Sequence, residues 1–374
     1  MKILLFGEYS NVHWTLALGL RKLGHKVTVV SNGDFWKNYP RDISLVRKDR
    51  AFDGIRYYLK LLSILPSLRG YDIVQLINPM FLELKAERIF PIYHYLRKHN
   101  KCMVMAAFGM DYYWVKTCNS AHSPFKYSDF NIGSQLRYNA DANKERLDWI
   151  GTAKEKLNTY IANDCDAIVA GLYEYWRCYN PVFHNKTTFI PFPIQTDLFP
   201  QRTEFYHEGN AIKLFIGLSK KRSEYKGTDI MLKAAKCIEA KYPQQINLQI
   251  AEGIPFSEYC KLMEGADVIT DQLYSYTPAM NALQAMSRGI ICVGGGEPEN
   301  YQIIHEEKLR PIINVQPTYE SVYTEIEKLI LQPSQIETLQ KQSIEYIKKH
   351  HEYVKVAKQY ERLYNRILQT SVKA

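Results

Sequence analysis

At 374 residues, 46% hydrophobic and 23% charged, the chain is long enough for two ordinary domains and too apolar to be disordered. No run of about 18 apolar residues occurs, so no membrane-spanning helix is expected; the apolar run before Gly7 is too short for a secretion signal, and a cytoplasmic protein is expected. The net charge of +9 is uneven: residues 1–199 carry 26 Lys and Arg against 18 Asp and Glu, and the remainder 22 against 21. The first half is therefore the basic one, a sign that fits nucleic acid, anionic lipid or a phosphorylated substrate without choosing among them.

Along the first half, apolar and β-branched runs alternate with segments of helical spacing. Strands are predicted over residues 2–6, 26–31, 72–77, 102–106 and 166–170, with helices over 16–23, 52–65, 87–99 and 147–163. Such alternation predicts a parallel sheet with helices on both faces. Residues 112–150 break the rhythm with a polar, aromatic stretch, and a long irregular segment inside a compact domain is often functional. Three prolines between Ile190 and Pro200 read as a linker.

Beyond the linker the alternation restarts, with strands predicted over 212–216, 247–251, 268–270, 290–293 and 312–315 and helices over 228–241, 256–263, 278–288 and 319–331. The expected architecture is two doubly wound Rossmann-like domains, 1–191 and 200–350, facing one cleft. A helical tail over 337–368 closes the chain, and its last part, about 352–374, is expected to pack back on the first domain. The seven cysteines show no metal-binding spacing and are read as buried thiols.

The loop Gly7-Glu8-Tyr9-Ser10-Asn11-Val12-His13 follows the first strand but lacks the Gly-x-Gly-x-x-Gly spacing, which argues against a nicotinamide or flavin enzyme. Gly7 lets a ligand approach the backbone. His13 either donates to a substrate hydroxyl or phosphate or has a capping, partly buried role. In the second half, Lys220, Lys221, Arg222 and Lys226 lie beyond a strand end, where open α/β sheets bind ligands and where a departing pyrophosphate needs cations. Thr277 suits an N-cap and Pro278 the first helical position, leaving free amides for a second phosphate. Asn281 and Gln284 share a helix face, available to ribose or base. Gly294-Gly295-Gly296 permits close backbone approach, and Glu299 just beyond is placed for two vicinal hydroxyls.

In order and spacing these pieces resemble the retaining glycosyltransferases of the family 4 type, with the GT-B fold. The resemblance rests on Gly24-His25-Lys26-Val27, Ile190-Pro191 to Pro200, Lys226-Gly227-Thr228-Asp229, Ala266-Asp267-Val268, Ala285-Met286-Ser287-Arg288-Gly289 and Gly295-Gly296-Glu297-Pro298-Glu299, which together span most of the chain. It implies a nucleotide-diphosphate-sugar donor, a UDP- or GDP-sugar, with no further cofactor and no obligatory metal. The implied acceptor is a saccharide or a lipid-linked saccharide, in surface polysaccharide or glycoconjugate synthesis, and no nucleic acid partner is implied. Two departures stand out. The family's glutamate pair before Ala-Met-x-x-Gly reads Tyr276 and Gln284, and its His-Gly-x-Asp reads Phe108-Gly109-Met110-Asp111. In this reading Arg222, Lys226 and Lys220 stabilise the departing diphosphate while Asp111 and His13 orient the acceptor. The donor contacts are Gly7, Tyr276, Thr277, Pro278, Asn281, Gln284, Gly295, Gly296 and Glu299.

Asp164-Cys165-Asp166 has the Asp-x-Asp spacing of metal-dependent transferases of another fold, but it precedes a strand in the first domain. Arg47, Lys48, Arg50, Arg56, Lys60 and Arg69 surround an apolar helix that either lies on anionic lipid at the inner face of the cell membrane or packs as an ordinary helix with a charged outer face. Two other classes remain open: a nucleotide-sugar 2-epimerase and a nucleotide-sugar-binding protein without transfer activity.

Overall fold

The structure, a computed structural model, describes residues 1–48, 50–198, 202–219 and 222–371, with the backbone alone at 256, 257 and 371. Its strands, numbered along the chain, are β1 (Lys2–Phe6), β2 (Lys26–Ser31), β3 (Ile43–Ser44), β4 (Ile73–Leu76), β5 (Cys102–Ala107), β6 (Asn131–Ile132), β7 (Gln135–Leu136), β8 (Ala167–Ala170) and β9 (Thr187–Phe189). They continue as β10 (Ile212–Leu218), β11 (Ile246–Glu252), β12 (Val268–Thr270), β13 (Ile291–Gly294) and β14 (Ile313–Asn314).

Two units result, each around its own all-parallel sheet. The first comprises Met1–Lys116, Arg146–Pro193 and the chain from Tyr353 onward, with strand order β3-β2-β1-β4-β5-β8-β9. The second comprises Thr117–Glu145 and Ile194–Glu352, with strand order β11-β10-β12-β13-β14. Strands covered on both faces read as continuous apolar runs, and every residue of β5 and β8 is buried. In each sheet the strand order reverses once, between β1 and β4 and between β10 and β12; ligands of doubly wound sheets bind beyond the carboxyl ends of strands at such a point.

The division differs from the predicted 1–191 and 200–350. Residues 117–145 belong with the second unit, because Phe125, Tyr127 and Arg137 pack against Tyr276 and Tyr274 of that unit. The proline segment does hold the division between the units, at Pro193 and Ile194, but its first part is packed: Ile190 and Phe192 are buried in the first unit, and a Cβ on Gly171 would meet the Phe192 ring at 2.1 Å. Residues 199–201 lie outside the described residues.

Several elements also differ. The helix predicted over 147–163 is two, Ala140–Trp149 and Ala153–Asp164, because Gly151 turns the chain at φ 72° and Thr152 caps the second through Lys154 N. The predicted tail helix is likewise split into Ser334–His350 and Tyr353–Ser371, where Ile194 N donates to His351 O and Ile194 bridges to Glu352. Of the seven thiols, Cys237 is exposed and Cys260 half-buried, so the reading of all seven as buried does not hold.

The helix Tyr353–Ser371 docks on the first helix, Val12–Lys22, in the first unit. Gly19 makes this possible: a Cβ there would lie 2.5 Å from Tyr353 O and 2.8 Å from Ala357 Cβ. His25 and Glu361 pair at 2.9 Å beside that seam. We expect Gly19→Ala to lower stability by about 1 to 2 kcal/mol despite the better helix propensity of alanine, because backbone oxygen cannot move out of the way of the new methyl. A thermal melt in which the variant equals or exceeds the parent would refute the close packing.

Candidate functional site

In the second unit the loops after β10, β12 and β13 meet at the carboxyl end of the sheet. Two glycines let them touch. Gly227, at φ 74°, sits where a Cβ would meet Leu273 Cβ at 2.6 Å and the Tyr274 ring at 2.8 Å. Gly295 sits where a Cβ would lie 2.1 Å from Ser275 O. Gly296 backs onto Ile312 at 2.8 Å and donates its N–H to Asn314 Oδ1 at 3.0 Å. The close approach predicted for the triple glycine is therefore filled, at Gly295 and Gly296, by the protein's own chain.

Glu297 is the centre of this arrangement and is buried. Its Oε1 accepts from Tyr127 OH at 2.7 Å, Gln316 Nε2 at 2.7 Å and Asn314 Nδ2 at 3.2 Å, and its Oε2 from Lys126 Nζ at 3.1 Å. Burial pushes this carboxyl up, but the hydrogen bonds from Gln316, Tyr127, Asn314 and Lys126 outweigh it and hold it below the usual range. Two residues on, Glu299 is half-buried, and its Oε2 is enclosed with no hydrogen-bond partner among the described residues. A buried carboxylate oxygen without a donor is costly.

The predicted N-cap moves. The helix starts at Met280, two residues later than a Thr277 cap requires; Ala279 is the N-cap residue, and its N–H donates to Asp271 Oδ2 at 3.3 Å. Thr277 and Pro278 are buried in the loop before it, and Thr277 O accepts from Ser275 Oγ at 2.6 Å. Leu273 N donates to Lys226 O at 3.0 Å, which holds Lys226 at this strand end; burial raises the Asp271 carboxyl, and the ammonium of Lys226 partly offsets it. Arg222 is exposed and stacks over the Tyr225 ring at 4.8 Å. Lys220 lies outside the described residues. Asn281 donates to Tyr259 OH at 2.9 Å, and Gln284, one turn along, is half-buried.

Tyr276, where the resemblance expects a carboxylate, is buried. Its hydroxyl accepts from Lys126 N at 2.6 Å and its ring packs on Tyr127 and Phe125 at 5.1 and 5.6 Å. Tyr276 holds residues 125–127 in place and so positions Lys126 and Tyr127 on Glu297. Arg137 acts similarly at the other edge: its guanidinium lies 3.4 Å from the Tyr274 ring centroid and donates to Glu224 O and Tyr225 O, at the end of the turn that carries Lys226. Sequence reasoning missed Lys126, Tyr127 and Arg137 as individuals; the signal was the irregular stretch that contains them.

In the first unit the predicted acceptor residues turn inward. His13 is buried: Nδ1–H donates to Gly7 O at 2.8 Å, Gln75 Nε2 donates to Nε2 at 3.1 Å, and Tyr364 OH donates to Gln75 Oε1 at 2.8 Å. Burial pushes the imidazole down to about 3, so it is neutral and both nitrogens are occupied. Asp111 is also buried, accepting from Trp114 N at 2.9 Å and Tyr179 OH at 2.8 Å as the cap of the helix Tyr112–Cys118. These contacts replace the acceptor-orienting roles expected of both residues with structural ones, since neither offers a free atom to solvent. Gly7, at φ 88°, approaches Ile77, whose Cγ2 would meet a Cβ at 2.2 Å. Asp164 and Asp166, the Asp-x-Asp pair, are both engaged by Arg97. Among the described residues no group of three or more His, Cys, Asp or Glu is arranged to hold a metal ion.

A cavity of about 340 Å³ does open at the β1/β4 reversal, lined among others by Glu8, Tyr9, Asn32, Tyr57, Glu83 and Lys154. Glu8 accepts from His13 N at 3.2 Å and Trp14 N at 2.8 Å, capping the first helix, and burial pushes its carboxyl up to about 8 against those hydrogen bonds. Burial likewise pushes Asp111 up to about 7. Both groups keep a proton in the fold where the unfolded chain, at 4.5 and 3.8, has lost it. Their contribution to stability is therefore complete at low pH and is lost as pH rises through those folded values. From about pH 5 to about pH 8 for Glu8 and to about pH 7 for Asp111, the unfolding free energy of the parent, read from urea titration, should fall more steeply than that of Glu8→Gln or Asp111→Asn, by up to ~1.4 kcal/mol per pH unit for each group. Parallel profiles would mean that both are ionised in the fold.

No family model matches the sequence, and no curated protein matches it. Solved structures do. Sucrose-phosphate synthase from Thermosynechococcus elongatus superposes with a TM-score of 0.64 at 13% identity, over 99% of this chain and 100% of that one. Anabaena Alr3699/HepE in complex with UDP-glucose gives 0.58 at 11% identity over 100% of both chains. UDP-GlcNAc 2-epimerase from Neisseria meningitidis bound to UDP-GlcNAc gives 0.52 at 12% identity over 100% of both. At such identities the likeness establishes the fold, and that fold is two Rossmann-like α/β domains in one chain, GT-B.

Proposed function

We propose that the chain is a glycosyltransferase that moves a sugar from a nucleotide-diphosphate-sugar, a UDP- or GDP-sugar, to a saccharide or lipid-linked acceptor. The observation that carries this reading is Glu299: an enclosed carboxylate oxygen without a donor, directly after the glycine turn at the carboxyl end of the second sheet. Vicinal hydroxyls of a ribose or sugar supply the missing donors. Two solved structures of the same fold are described as complexes with UDP-glucose and with UDP-GlcNAc, and sucrose-phosphate synthase shares the fold over the full chain, which supports a nucleotide-sugar here.

In the proposed reaction the bond between the anomeric carbon and the β-phosphate oxygen breaks, and the electron pair leaves on the diphosphate. Lys226, beside the Asp271 strand end, and Arg222, at the start of the helical turn that ends at Lys226, stabilise that charge. The acceptor hydroxyl bonds to the anomeric carbon on the face the diphosphate leaves, with retention, and its proton passes to a diphosphate oxygen. On the acceptor side the cavity of Glu8, Asn32, Glu83 and Tyr57 takes the place first assigned to His13 and Asp111, since carboxyl, amide and aromatic edges suit a polyol. A second reading, binding without transfer, is favoured by Tyr276, which buries a phenol where the resemblance expects a carboxylate.

Thermal-shift titration with UDP, GDP, ADP and their sugars identifies the donor, because a ligand bound only by the native state raises its stability. With that donor, Lys226→Ala and Arg222→Ala should each lower nucleoside diphosphate release about a hundredfold; unchanged release in both would sink the assignment. Glu299→Gln should weaken donor binding by about tenfold, the loss of a charge-assisted hydrogen bond, at unchanged melting temperature of the free protein. Donor binding with neither release nor epimer formation would establish the second reading, and a C2 epimer as product would establish an isomerase.

A further inference from the structure

The helix Asp53–Ile64 is amphipathic in an unusual sense: its inner face packs, and its outer face is largely apolar. Asp53, Tyr57 and Leu61 are buried, while Ile55 and Leu59 are each 59% exposed and Leu62 is 41% exposed. These three lie at i, i+4 and i+7 on one stripe. Phe52, just before the helix, is 75% exposed and adopts φ 63°, a left-handed conformation that bulky side chains rarely take. Its ring is thus held outward at the end of the stripe at a conformational cost.

Cations flank the stripe on both sides. By helical rotation Arg56 and Lys60, both exposed, follow Phe52 and Leu59 on one side. On the other side Arg47 reaches Gly54, whose added Cβ would lie 3.3 Å from Arg47 Nη2. Lys48 and Arg50 are exposed in the approach to the helix, and Asp53, the acidic residue of the helix itself, is turned inward to accept from Lys48 N. Arg47 also lines a groove of about 530 Å³ with Leu147, which is 78% exposed. Basic side chains with aliphatic stems around an apolar ridge match the layered chemistry of a lipid surface, anionic headgroups outside and acyl chain beneath.

We infer that this face of the first unit docks on an anionic lipid bilayer, with Phe52, Ile55, Leu59 and Leu62 entering the headgroup boundary and Arg47, Arg56 and Lys60 contacting lipid phosphates. Charge complementarity selects this occupant over a second copy of the chain, which would bring the same cations face to face. The inference does not depend on sugar transfer, because vesicle binding is read without donor or acceptor.

The test is co-sedimentation of the full chain with vesicles of phosphatidylcholine alone or mixed with phosphatidylglycerol. Pelleting is expected only with the mixed vesicles and should weaken as salt is added. The double variant Arg56→Ala/Lys60→Ala should lower partitioning roughly 30-fold, about fivefold for each cation. Ile55→Ser/Leu59→Ser should abolish pelleting at unchanged melting temperature, since both side chains are exposed. Lys236→Ala/Lys261→Ala, which removes two exposed cations of the second unit, should change nothing. Equal pelleting on both vesicle types, no pelleting, or an equal loss in the Lys236/Lys261 variant would overturn the proposal. So would light scattering that showed a dimer dispersed by Ile55→Ser/Leu59→Ser while vesicle binding persisted.

Discussion

The buried Glu297 carboxylate is the constraint on which the second unit's candidate site depends. A carboxylate withdrawn from water needs donors at both oxygens, and removing them leaves an uncompensated charge that costs several kcal/mol. Lys126 and Tyr127 come from the irregular stretch, and Asn314 and Gln316 from the end of β14 and the residues after it. One side chain thus ties an otherwise loosely built segment to the edge of a sheet. The same contacts set the turn Gly295–Glu297, whose glycines press against Ser275 and Ile312, and through it the position of Glu299.

The first unit solves a comparable problem with a relay. His13, Gln75 and Tyr364 pass hydrogen bonds from the first helix through β4 to the C-terminal helix, and each buried polar atom in that line has a partner. Burial keeps the histidine neutral and the relay holds it inward, and Glu8 beside it caps the helix where Asn11, in a left-handed conformation, makes no side-chain cap. What reaches the cavity at the β1/β4 reversal is therefore Glu8 with its neighbours, and not the histidine.

These two arrangements bear on the missing glutamate pair. Tyr276 is not a weakened version of a sugar-binding carboxylate. It is a packing residue whose hydroxyl and ring fix residues 125–127, and the charge near the glycine turn comes instead from Glu297 and Glu299.

The alternation of apolar runs and helical spacing determined the fold class, both doubly wound sheets and most of their strands, because periodicity is a local property that each segment carries by itself. The glycine turn was legible for the same reason: it falls at a strand end. Side-chain direction was not legible. Whether His13, Asp111 or Thr277 faces a ligand or the interior depends on what packs from distant parts of the chain, here Gln75 and Tyr364, Tyr179, and the Asp271 contact that delays the helix to Met280. The membership of 117–145 in the second unit likewise follows from long-range burial, whereas the return of the last helix to the first unit was expected from the sequence. Gly19 and Tyr276 show why: each makes sense only against a surface that the linear sequence places elsewhere.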